Sequence, residues 1–490
     1  MRNLFGELKG KHFLDVVRGI LSSPVFPFFT AAFNMIFYYL GWDMVIIYYM
    51  GIVAIAMLLL LDDLTPLVSH FLFFHVMVTM KHSPSEKAYA PDPGYYMRAE
   101  NLALIGVLLG LIVIAVVFRF AALSKLRTFK PTPVFFGLCV LAGAFLLSGL
   151  FKENYTAFDF LYGFVMAVVY LVVFVLVTSS VIPSEENYKK IGIGFVALSL
   201  LIVIELAELY LRERGAMLDE DGEIIKEMVV VGWGIWNTVG MLLVISIPAV
   251  LMLASKYKYG FVFILYATLL VVATFLSTSR QAMLGAAVVY PVSLLFVLIK
   301  SKNRKINAVT VGGIVAIGAI VVIAKWDMII RLLGSIFDNM FDEDSVFTGN
   351  GRIRLINLAM QFFIRNPVFG SGFNLNYQDY DFTGLSFVPE FACNTFAELL
   401  AACGLVGFTA YLIHRIQTFV AFVQNPTFNK TYIAIVISGI LIMSMLDNHM
   451  FNILPNVIYS ALLPFAIGGT TEGKAVLPLD WINKNKADTN

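Results

Sequence analysis

Two arginines and a few polar side chains stand out from a chain that is otherwise strongly apolar. Arg280 lies in STSRQAMLGA and Arg352 opens the segment RIRLINLAM. A guanidinium presents a planar fork of N–H donors that matches phosphate or carboxylate oxygens in pairs, so either residue could hold an oxyanion. Arg280 could equally be an interfacial arginine reaching for water. Arg352 could be a solvated helix start, although a cation sits badly at a positive helix N-terminus unless an anion is present. His449 is flanked by Asp447 and Asn448, an arrangement in which a carboxylate could orient an imidazole for proton transfer. A short interhelical connection also carries such residues for no chemical reason. Glu398 falls inside an apolar run, where a carboxylate is costly enough to suggest function. Asn394, just before that run, is a plausible helix N-cap, or a hydrogen-bonding partner for a sugar or phosphate.

The surroundings of these residues are set by composition. Hydrophobic residues make up 59% of the 490 and charged residues 14%, with mean hydropathy +0.83. The apolar runs recur at the length a helix needs to cross roughly 30 Å of hydrocarbon. This predicts an all-α, polytopic integral membrane protein. A membrane β-barrel would need short alternating segments, whereas 102–118 is apolar on every face. A net charge of +1 with no basic stripe gives no sign of nucleic acid. Of the three cysteines, Cys139 falls inside an expected span, and Cys393 and Cys403 stand nearly three turns apart on one expected helix, too far to bridge.

Hydropathy predicts about 14 transmembrane helices, at 21–40, 43–61, 64–80, 99–120, 133–151, 157–182, 191–211, 232–254, 259–277, 281–300, 307–325, 393–414, 431–447 and 451–468. The third, with His70 and His75, could instead be re-entrant. A cytoplasmic N-terminus puts most basic connections inside, among them those with Arg119, Lys125 and Arg127, Lys189 and Lys190, Lys300 to Lys305, and His414, Arg415 and Lys430. Loop 81–98 breaks the rule, and acidic 217–227 obeys it. Both termini are then cytoplasmic, and Arg280, the long segment 326–392, Asn394 and His449 all reach the external face. Within the long loop, 328–341 has the pattern of an amphipathic surface helix. Residues 352–365 form a second predicted helix stopped by Asn366-Pro367, and 374–390 could fold as a flap.

Several fragments, taken in order, resemble the O-antigen ligase and polymerase superfamily: STSRQAMLGA at 277–286, GNGRIRLINLAMQFFIRNPVFGSGF at 349–373, and CNTFAELLAACGLVG at 393–407. WGIWNTVG at 233–240 is similar to a segment of polymerase members. The resemblance covers roughly 230–415 and divides the chain into N-terminal helices 1–230, a ligase-like core 231–416, and C-terminal helices with a tail at 417–490.

The resemblance implies a membrane glycosyltransferase that moves glycan from an undecaprenyl pyrophosphate donor to a glycan acceptor at the outer face of a bacterial cytoplasmic membrane. It implies no metal and no cofactor. Membrane lipid and a chain-length regulator or flippase are the implied partners, and nucleic acid is not one. Arg280 and Arg352 would stabilise the departing pyrophosphate, with His449 and Glu398 as candidates for proton transfer. Ser279, Asn237, Gly370, Gly372, Asn394 and Cys393 would contact substrate. Cys393 stands where ligases carry histidine, which favours polymerase over ligase. A thiol is a poorer proton acceptor at neutral pH, although arginines and a helix N-terminus would favour the thiolate.

One alternative fails on specifics, and a transporter is the main competitor from another class. Gly468 to Lys474 nearly spells a phosphate-binding loop, but Ala475 replaces the required Ser or Thr and the segment follows a span rather than a strand. A lipid-linked oligosaccharide transporter should show internal repeats with matching broken helices, and none is visible.

Overall fold

The computed structural model describes residues 13–40, 42–75, 99–121, 129, 131–152, 155, 157–181, 183–212, 229–231, 234–301, 303–324, 326, 330, 351–373, 394–424, 426–447 and 449–468. Among these the chain is helical apart from a two-residue antiparallel ladder, β1 (Val230–Val231) with β2 (Gly234–Ile235). The first helices are α1 (Phe13–Leu21), α2 (Phe26–Tyr39), α3 (Asp43–Leu60), α4 (Thr65–Phe71), α5 (Ala99–Ala121), α6 (Pro133–Leu146), α7 (Ala157–Ser180) and α8 (Glu185–Arg212). They are followed by α9 (Trp236–Lys256), α10 (Gly260–Leu276), α11 (Arg280–Lys300), α12 (Arg304–Ala324), α13 (Gly351–Arg365), α14 (Thr395–Gln424), α15 (Phe428–Leu446) and α16 (Ile453–Ile467).

Each apolar segment read from the sequence carries a helix. Among the described residues, eight helices are long and apolar enough to cross a membrane, or nine when the bent pair α1–α2 is taken as one span. The protein is a multi-pass membrane protein. The expected count of 14 spans is not reproduced among the described residues, and three expected spans need correction. In the third, 64–80, the described residues hold only the seven-residue α4 and the 3-10 turn Leu72–His75. The first, 21–40, begins at Phe26, because the chain turns by 82° between α1 and α2 around Pro24, which disfavours helix at the residue before it. The twelfth, 393–414, runs on to Gln424 and is broken at Gly404. His414 and Arg415 therefore stand in mid-helix and not in a cytoplasmic connection. The expected helix at 352–365 is α13, ending before Asn366-Pro367. The expected surface helix at 328–341 and the flap at 374–390 lie outside the described residues.

Contacts divide the chain into two compact units: 1–129 with 175–297, and 130–174 with 298–490. In the first unit α9 is the core, with every residue from Val239 to Ser255 buried, packed on α8 and α10. Arg119, which the charge pattern assigned to a loop, is buried at the end of α5. It donates to the carbonyls of Leu58 and Leu61 at 2.7 Å and of Asp62 at 2.9 Å, satisfying the open C-terminus of α3. In the second unit α14 packs on α6 and α13, and α15 packs on α16. Helix α12 has only 6% of its apolar window buried, as expected of a surface whose solvent is lipid.

Candidate functional site

The second unit is organised around the break in α14. Gly404 has φ 62° and ψ −160°, a region open essentially to glycine alone. A break strands backbone donors and acceptors, and inside an apolar bundle these must find partners in protein. The loop after α13 supplies them. Ser371 N and Gly372 N donate to the carbonyls of Ala401 and Ala402 at 2.7 and 3.0 Å. On the far side of the break, Leu405 N and Val406 N donate to the carbonyls of Pro367 and Val368 at 2.8 and 3.1 Å. The Ser148 hydroxyl adds a second donor to Ala402 O at 2.7 Å. A side chain at Gly370 would overlap the Ala402 carbonyl, and one at Gly372 would overlap Asp159. Asp159 is fully buried and paired with Lys152 at 2.9 Å. The geometry of both loop glycines is thus accounted for by their fit against the broken helix and this ion pair.

The half-helix before the break, 395–403, begins at Asn394. Its Oδ1 accepts from the backbone N–H of Phe396 and Ala397 at 3.0 and 3.1 Å, the capping arrangement expected of asparagine. Its Nδ2 donates to Met445 O at 3.0 Å, and Thr395 Oγ1 donates to Ser444 O at 2.6 Å. The start of the half-helix is thereby sewn to the end of α15, where Asp447 and His449 follow. Glu398, one turn on, is fully buried, and neither carboxyl oxygen has a hydrogen-bond partner among the described residues.

His449 is also buried, with neither ring nitrogen hydrogen-bonded among the described residues; its Nε2 lies 4.0 Å from Asp447 Oδ2, close enough for charge but not for a hydrogen bond. Burial pushes the His449 pKa below the ordinary histidine value, and the Asp447 carboxylate pulls it part of the way back. Such an imidazole stays neutral near pH 7 and has a free lone pair, as a proton acceptor requires. Asn394, Glu398 and His449, which the sequence picked out separately, therefore belong to one compact region where α14 starts and α15 ends. Cys393 lies outside the described residues.

In the first unit Ser279, Asn237 and Arg280 come together. Ser279 Oγ donates to Asn237 Oδ1 at 2.9 Å and accepts from Ala282 N at 3.3 Å, capping α11. A side chain at Gly240 would overlap Ala282, so α9 and the start of α11 approach closely there. Thr278 has φ 56°, strained for a β-branched residue. Held strain of this kind recurs at functional turns, and here it presents Arg280 exposed at the first position of α11. Arg352 is the second residue of α13, and its side chain lies outside the described residues.

The sequence reading passed over several residues of the second unit. Tyr162, Tyr170 and Asn456 sit inside helices and bond across the bundle. Arg415 stacks between the rings of Tyr411 and Tyr459, 4.4 and 4.6 Å from their centroids. Asn456, an amide inside an apolar run, was the available signal, whereas Arg415 falls just beyond the run that closes at His414.

Residues 265–412 match the family model described as O-antigen ligase. The matched stretch contains Arg280, Arg352, Gly370, Gly372, Cys393, Asn394 and Glu398, and stops short of His449. No curated protein matches the chain.

Proposed function

We propose, on the membership of the O-antigen ligase and polymerase superfamily that this match supports, that the chain polymerises undecaprenyl pyrophosphate-linked oligosaccharide repeats into a cell-surface polysaccharide. The reaction takes place at the outer face of the bacterial cytoplasmic membrane, with both termini cytoplasmic. The family implies lipid-linked glycan substrates processed at a membrane. The finer reading adds a role for each residue. Arg280 and Arg352 bind pyrophosphate oxygens and stabilise the charge that builds as the bond from the sugar C1 to the phosphate oxygen breaks. The acceptor hydroxyl oxygen bonds to that C1, its proton passes to His449, and the carrier leaves as its pyrophosphate. Asp447 stabilises the imidazolium so formed. Asn394 and Glu398 line the acceptor side, and Ser279 with Asn237 fixes the turn that presents Arg280. On this reading the two guanidiniums, and not a metal, supply the charge stabilisation.

The observation that carries the reading is the match over 265–412, in which the Ser-Arg turn, Arg352 and the broken helix occur in order. The ligase alternative is favoured by the family's being one of O-antigen ligases. The polymerase reading is favoured by Cys393 in the position where ligases carry histidine. Mass spectrometry of the lipid-linked glycans that accumulate in a deletion strain separates them: single repeats mean lost polymerisation, and long finished chains mean lost ligation. A chain-length regulator or flippase would be a partner in the first case.

A further inference from the structure

We infer that Tyr162 and Asn456 are positioning residues for His449, setting where the acceptor-side base stands; the inference rests on the transfer reading above. Among the described residues the His449 imidazole has no hydrogen bond on either ring nitrogen, and the Asp447 carboxylate is 4.0 Å away. A base is ordinarily oriented through its second nitrogen. Among the described residues, what locates the ring is its backbone and its packing.

That backbone is a single 3-10 turn, His449–Phe451, between α15 and α16. Two side chains reach its carbonyls from neighbouring helices. Tyr162 on α7 donates its hydroxyl to Phe451 O. Asn456 on α16 donates Nδ2 to Met450 O at 2.7 Å and to Asn452 O at 2.9 Å. The orientation of the Asn456 amide is itself fixed, because the Tyr170 hydroxyl donates to its Oδ1 and leaves Nδ2 to face the turn. Asn456 and Tyr170 are fully or almost fully buried, and Tyr162 is nearly so. Apart from a long contact of Nδ2 to Met166 Sδ at 3.9 Å, the bonds of this buried amide go to the turn and to one tyrosine, and leaving any of them unmade is costly, so the network favours one placement of the turn. Tyr162 is further held by ring packing on Phe373, centroids 5.1 Å apart, which joins the turn to the loop that braces Gly404. Misplacing a reacting group by 1 Å can cost on the order of 100-fold in rate, so slackening either anchor should act on the chemical step.

The test uses the full chain in lipid nanodiscs, with purified lipid-linked repeat as substrate. Tyr162→Phe and Asn456→Ala are made in wild-type and in His449→Asn backgrounds, and kcat and KM are measured for all. The expectation is a loss of about tenfold or more in kcat for each single variant, with KM for the repeat within about twofold. No further loss is expected when His449 is already replaced, because residues acting through a third are non-additive with it. Equal fold-losses in both backgrounds, or undiminished kcat in Tyr162→Phe, would overturn the inference. Tyr162→Phe keeps the ring and decides alone if Asn456→Ala does not fold. A fully active His449→Asn also overturns it, while leaving the pyrophosphate-transfer reading to stand or fall on Arg280 and Arg352.

Discussion

Asn394 Nδ2 donates to Met445 O at 3.0 Å, while its Oδ1 caps the half-helix that carries Glu398. One side chain thus starts one helix and ties it to the end of another. Replacing a capping asparagine by alanine costs about 1 kcal/mol, and Asn394→Ala also frees the Met445 carbonyl. Asn394→Asp restores the cap oxygen but not the amide donor. Thermal unfolding in detergent should rank wild type above Asn394→Asp and Asn394→Asp above Asn394→Ala. Equal midpoints for all three would mean that the residue serves only substrate.

Gly404 is predicted to be irreplaceable for folding. An alanine Cβ would overlap the Val368 carbonyl, and the backbone conformation alone costs an L-residue about 1–3 kcal/mol. Gly404→Ala should lower the yield of monodisperse protein in detergent, whereas Gly143→Ala, within α6 where a Cβ meets nothing within 4 Å, should not. If both variants purify alike, the strained break is not what holds the loop in place.

Much of this fold was legible because the length of an apolar run is a direct consequence of membrane thickness. The break at Gly404 was not, since hydropathy reads 393–414 as continuous and the groups that stabilise the break come from Pro367 to Gly372, over thirty residues earlier. The same blindness put Arg415 in a loop: the apolar window closed at His414, but the cation is held inside the helix by two tyrosine faces. Of the candidate site, charge, polarity within apolar runs and motif order pointed to Arg280, Arg352, Asn394, Glu398 and His449 as proposed residues. Tyr162 and Asn456 stayed hidden because a tyrosine or an asparagine in a span shows its purpose only once the facing helix is known.

Arg280→Lys and Arg352→Lys should each abolish most glycan extension while the protein stays in the membrane. Lysine keeps the charge and loses the planar fork, so the pair tests two-point binding of phosphate and not charge alone. Polymer length is read by gel, and protein level by immunoblot of membranes. Normal polymer from both lysine variants would sink the pyrophosphate clamp.

The rate should depend on pH through His449. Burial lowers its pKa and Asp447 raises it in part, so the neutral, proton-accepting form persists below the ordinary value of about 6.5. The acid limb of the kcat profile should therefore fall below that value. Removing the carboxylate in Asp447→Asn removes the stabilisation of the imidazolium and should move the limb to still lower pH. A limb above 6.5, or one that moves upward in Asp447→Asn, would show that His449 is not the group titrating.

Cys393→Ser should retain substantial activity. Phosphate stabilisation can carry much of a transfer whose leaving group is already good, and on the reading above the acceptor proton goes to His449, not to position 393. Serine keeps the size and removes thiolate chemistry. The decisive comparison is Cys393→Ser with Cys393→His, assayed across pH on purified enzyme and lipid-linked substrate. Near-complete loss in the serine variant, restored by histidine, would make position 393 the site of proton transfer and would take that role away from His449.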